Sequence, residues 1–164
     1  MTTQDERTIA RDRMRFIKNT QSSRLCYLGI LFDVFFFVNI YKSDVGTYYY
    51  NYKIGLSIVY NLIFLLAAFL ASEGVKNYKK EYSYSLFILG ILQFVRIFII
   101  PMQAHSAKIE VDNALVGVMG NGQFTLVCAY LIISGAALLI AGLINLKKYK
   151  ELSEHLKSIG QEMA

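Results

Sequence analysis

The sequence predicts an all-α membrane protein: a four-transmembrane-helix antiparallel bundle, N-in/C-in, with amphipathic cytoplasmic helices at both ends. Three observations lead there. Four apolar runs, 25–41, 54–72, 82–101 and 124–144, are each 17 to 21 residues long. Each is long enough to cross a hydrocarbon core of roughly 30 Å as a helix. Within these runs the only formal charges are Asp33 and Arg96. The remaining Lys and Arg fall unevenly between alternate connections, which sets the orientation. A hydrophobic fraction of 55% and a mean hydropathy of +0.39 belong to the same class. The spans and their short connections make one membrane domain of 1–164, with no room for a separate soluble domain.

The charge bias is large. Arg7, Arg11, Arg13, Arg15, Lys18 and Arg24 precede the first span or sit at its start, Lys76, Lys79 and Lys80 follow the second, and Lys147, Lys148, Lys150 and Lys157 follow the fourth. These 13 cations fall on one side, against Lys42, Lys53 and Lys108 on the other. Short loops rich in Lys and Arg stay in the cytoplasm, so both termini are expected there. The net charge of +5 then reflects cytoplasmic flanks facing a lipid bilayer with an anionic inner leaflet. It does not imply nucleic acid, for which no basic surface of domain size exists. Lys-, Ile-, Asn- and Tyr-rich usage suits a bacterial plasma (inner) membrane.

Taken in order, residues 1–22 form a leader. The capping-box spacing of Thr3 and Glu6 and the stripe Ala10, Met14, Ile17 among basic residues predict a short amphipathic helix on the inner leaflet. No small-residue cleavage site follows, so the first span is expected to be retained. That span, a helix over 23–41, is rich in Phe. The connection after it carries Tyr41, Tyr48, Tyr49, Tyr50 and Tyr52, which suit an aromatic belt in a chain without Trp. A second helix over 54–72 leads through a short inner connection to a third over 82–101. That connection is short enough to make the two antiparallel neighbours. Pro101 ends the third helix, because its ring and missing N–H interrupt the ladder. The outer loop, 102–123, contains an apolar patch at 114–119, which either lies at the membrane interface, the placement expected here, or folds back against the bundle. His105 in this loop and His155 in the tail are isolated and expected in solvent.

The fourth helix is expected over 123–145, and its apolar run, 124–144, has no strongly polar residue. Ser134, Ala137 and Ala141 share one face, and Gly135 and Gly142 form a second small stripe. Small faces let helices approach closely, so Ser134, Ala137 and Ala141 form a candidate helix-association face, internal or toward another subunit. In the tail, 146–164, Tyr149, Leu152, Leu156 and Ile159 repeat at heptad spacing. They predict an amphipathic cytoplasmic helix that lies on the membrane or docks on a partner.

The candidate functional constellation is a buried polar layer. Asp33, Asn61 and Gln93 lie at similar depths in three spans, and Arg96 lies one turn outward on the Gln93 face. A charge facing lipid at mid-membrane costs roughly 2.5–3.5 kcal/mol, so Asp33 and Arg96 should turn inward and pair. Asn61 and Gln93 would satisfy the remaining donors and acceptors. The layer is either a structural lock or a solute or proton site. Cys26 and Cys128 sit at opposite depths without a CxxC motif, which suits apolar filling rather than a disulfide. No catalytic motif, metal-ligand cluster or cofactor signature is present, so no catalytic residue, metal or cofactor is expected and the chain does not read as an enzyme. The expected function is a small integral membrane subunit that assembles with or regulates a larger membrane complex such as a transporter. The alternative is a homo-oligomeric small-solute transporter or channel built on the Asp/Arg/Asn/Gln layer. The expected partner is another membrane protein or a second copy.

Overall fold

A computed structural model of the chain describes residues 18–41, 51–111 and 114–158. The amphipathic leader stripe, Tyr48–Tyr50 and Ile159 lie outside the described residues. Four helices are long and apolar enough to cross a membrane, and the chain is a multi-pass helical membrane protein. The first, α1, is Thr20–Ile40. It begins earlier than expected because Asn19 caps it, its side chain accepting a hydrogen bond from the Ser22 N–H at 3.3 Å.

The second helix, α2, is Asn51–Lys76, longer than the apolar run at both ends. The extra turn is polar but helical, tied by a Glu73–Lys76 ion pair at 3.0 Å across i, i+3. It ends where Tyr78 adopts the left-handed conformation, φ 59°. The Lys79 and Tyr78 N–H groups then return to the Gly74 and Val75 carbonyls at 3.2 and 3.1 Å. That is the double bond of a Schellman stop, with tyrosine where glycine is usual. Tyr78 is buried, so packing offsets the backbone cost. Burial, with Glu151 nearby, also pushes the Tyr78 phenol pKa up.

The third helix, α3, is Glu81–Ile99. Pro101 ends it and also starts a further turn, α4, Pro101–Ser106. Proline suits that first position because the N–H it lacks would be unbonded anyway. The loop beyond carries a short hairpin within the helical fold. Lys108–Val111 (β1) and Ala114–Gly117 (β2) pair antiparallel, with Glu110 opposite Leu115. The apolar patch is divided between the two placements that its sequence allows. Leu115 and Val116 are exposed, whereas Val118 and Met119 fold back among Phe36, Ile40, Val127 and Leu131. His105 is partly covered rather than free in solvent: it stacks on Phe124 at 4.4 Å and its Nδ1 lies 3.3 Å from the Met119 carbonyl.

The last helix, α5, is Asn121–Ser158, 38 residues without interruption. The fourth span and the described part of the tail are thus one rod rather than two helices. Tyr149, Leu152 and Leu156 are half-buried along it. Each of the four long helices packs on two others: α5 on α1 and α3, and α2 on the same pair. The α3–α5 contact is backbone-close. A Cβ on Gly135 would sit 3.0 Å from the Gly90 carbonyl, and one on Gly90 3.1 Å from the Gly135 carbonyl. Two apolar clusters fill the bundle. One holds Cys26, Phe64, Leu86 and Leu138; the other holds Phe36, Ile40, Val127 and Leu131.

Candidate functional site

Between those two clusters lies the polar layer. Along α1, Asp33 falls between Cys26 and Phe36; along α5, Ser134 falls between Leu131 and Leu138. The structure brings Asp33, Asn61, Gln93 and Arg96 together, all 3% exposed or less. Arg96 Nη1 donates to Asp33 Oδ1 at 2.6 Å and to Gln93 Oε1 at 3.1 Å. Arg96 Nη2 donates to Asn61 Oδ1. Gln93 Nε2 donates to Asp33 Oδ1 and to Ser134 Oγ, each at 2.9 Å. Ser134 Oγ then donates to the Gly29 carbonyl at 2.8 Å. One network therefore reaches all four long helices.

Aromatic faces enclose the cation. The Arg96 guanidinium carbon lies 4.5 Å from the Phe36 ring centroid, 5.1 Å from Tyr60 and 5.7 Å from Phe64. The negative faces of the rings add to the attraction of Asp33, and their bulk keeps lipid off the charge. Yet the network is not complete among the described residues. Asp33 Oδ2, Asn61 Nδ2 and Arg96 Nε are buried and have no hydrogen-bond partner from the described residues.

The candidate association face lies inside the molecule. Ser134, Ala137 and Ala141 are all buried. Ser134 bonds Gly29 of α1, and the Ala141 carbonyl accepts from Ser22 Oγ at 2.8 Å. The second stripe is turned to α3, where Gly135 meets Gly90 and Gly142 meets Phe87 and the Ser83 carbonyl. The two small stripes of α5 thus serve two neighbouring helices of the same chain. Cys26 is buried in the first apolar cluster, and both cysteines are free.

Sequence reasoning missed a second network at the other end of the first cluster. Asn145 Oδ1 accepts from Asn19 Nδ2 at 2.9 Å, and Asn145 Nδ2 donates to Ser83 Oγ at 2.7 Å and to the Lys79 carbonyl at 3.1 Å. The Asn19 N–H reaches the Lys76 carbonyl at 2.8 Å, and Ser23 and Ser72 share a hydroxyl bond of 2.9 Å. Asn145 stands at the edge of an apolar run, two residues before Lys147, where an amide reads as an ordinary interfacial residue.

No family model, curated protein or solved structure matches the chain. Fold and site together define a class, a multi-pass helical membrane protein whose helices are joined by a buried ion-pair layer.

Proposed function

We propose that this chain is a small integral membrane subunit that assembles with or regulates a larger membrane complex such as a transporter. The observation that carries the reading is the closure of the Asp33–Arg96 pair. Both charges are buried and bonded to each other, and the cation is shielded by three aromatic rings. A lock of this kind fixes the register of helices and offers no open aqueous path. The surfaces left for a partner are the lipid-facing sides of the helices, the hairpin and the extension of α5 past Asn145. In this reading the bundle is antiparallel and both termini are cytoplasmic, as the 13-to-3 distribution of Lys and Arg supports, and the membrane is a bacterial plasma membrane, which the Lys-, Ile-, Asn- and Tyr-rich usage suits.

Purification from native membranes in mild detergent, with mass measurement of the intact complex, tests the proposal. A stoichiometric foreign membrane protein supports it. A closed homo-oligomer that conducts or transports in liposomes overturns it in favour of a second reading, a small-solute transporter or channel built on the layer. That second reading draws on the three polar atoms of the layer that the described residues leave without a partner, since intramembrane ionisable groups commonly mark pathways.

A further inference from the structure

We propose that the polar layer is a binding site for internal water on its α2 side, held by Asp33 Oδ2 as acceptor and by Asn61 Nδ2 and Arg96 Nε as donors. The clustering of these atoms carries the argument. Among the described residues, four buried side-chain polar atoms lack a hydrogen-bond partner. Three of the four belong to Arg96 and to Asp33 and Asn61, two of the three residues that its Nη1 and Nη2 atoms bond. The α5 side of the same layer is saturated, because both Gln93 Nε2 bonds and the Ser134 hydroxyl bond are made.

Packing explains the asymmetry. On the α5 side the helices approach through glycine, with Gly29 against Leu138 and the Ser134 carbonyl and Gly135 against the Gly90 carbonyl. At layer depth α2 presents Tyr60, Asn61 and Phe64 and no glycine, so it stands off on larger side chains. A buried acceptor and two buried donors in hydrocarbon surroundings need a ligand that both accepts and donates. Internal waters make about three hydrogen bonds and favour polar sites of this kind. A partner's side chain or a lipid headgroup does not reach atoms buried within the chain. Water fits the chemistry, and this assignment stands whether the layer is a lock or a pathway.

The test uses the full chain in lipid nanodiscs, with water-edited solid-state NMR on deuterated, back-exchanged protein. Magnetisation starting on water should appear at the Asn61 side-chain amide and at Arg96 Nε–H. It should not appear, over the same mixing time, at the backbone amides of Leu131 and Leu138, which are fully buried above and below the layer. Absence of transfer to Asn61 and Arg96, at the level of Leu131, overturns the proposal. Transfer to them from a proton frequency other than water, marking an organic solute, overturns it too.

Discussion

Gln93 and Arg96, one turn apart on α3, donate to the same oxygen: Asp33 Oδ1 accepts from Gln93 Nε2 at 2.9 Å and from Arg96 Nη1 at 2.6 Å. The i, i+3 spacing puts an amide and a guanidinium on one face, and one carboxylate oxygen of α1 serves both. Gln93 also receives from Arg96 and donates to Ser134. It thus links the ion pair to α5.

Removing one member of the pair should be far worse than removing both. Asp33→Ala or Arg96→Ala strands a buried charge and is expected to cost about 3–5 kcal/mol. Asp33→Leu combined with Arg96→Met should recover most of that loss. Thermal unfolding in detergent or nanodiscs measures each. Singles as stable as the parent would show that the pair does not support the fold.

The α3–α5 contact should tolerate no added methyl. Gly135→Ala meets the Gly90 carbonyl and Phe94, and overpacking of this kind costs about 1–3 kcal/mol. Gly55→Ala is the control: nothing lies within 4 Å of its added Cβ, and relief of glycine's entropy favours it by roughly 0.5–1 kcal/mol. The two substitutions should shift the unfolding midpoint in opposite directions.

Bulk on the other small stripe should act on the monomer. Ala141→Leu enters the cluster of Cys26, Ala71 and Leu138, so the purified chain alone should lose stability. If instead the chain keeps its midpoint and only a larger assembly dissociates, this face meets a partner in the membrane.

Asn145→Leu should loosen the end where α1, α3 and α5 meet. It removes three hydrogen bonds and leaves Asn19 Nδ2 and the Lys79 carbonyl without this partner. The expected loss is about 1–3 kcal/mol. Amide exchange in the connection 77–80 should accelerate. Ser85→Ala, which removes only a bond to its own helix at Glu81, should stay within roughly 0.5 kcal/mol of the parent.

Orientation is open to a labelling experiment in intact cells. Single cysteines at Lys79 and Lys157, in a chain lacking Cys26 and Cys128, should be shielded from an impermeant thiol reagent. One at Lys108 should react. The reverse pattern would show that the basic flanks do not govern insertion.

The spans were legible because length and apolarity alone specify a bilayer-crossing helix. The polar layer was legible because two charges in otherwise apolar runs leave few inward solutions. Depth counting aligned Asp33, Asn61 and Gln93. Ser134 was not placed in the layer, because a hydroxyl among alanines reads equally well as a small residue. The strands of the hairpin, four residues each, are too short for periodicity to register. The tail looked separable because its composition turns polar after Asn145, yet nothing in it breaks a helix, and α5 continues. The direction of the small stripes depends on which neighbours carry matching glycines and serines, a relation between distant segments that spacing within one helix does not contain.

The unbroken course of α5 makes it a drive shaft. Its 38 residues, at about 1.5 Å each, give a rod of about 57 Å, nearly twice the roughly 30 Å of the hydrocarbon core. Leu152 and Leu156 ride on the same rigid body as Ser134, and Ser134 is hydrogen-bonded to Gln93 beside the ion pair. One continuous helix thus carries both the protruding end and a hydrogen-bond partner of the layer, so the two are joined by helical backbone with no loop between them.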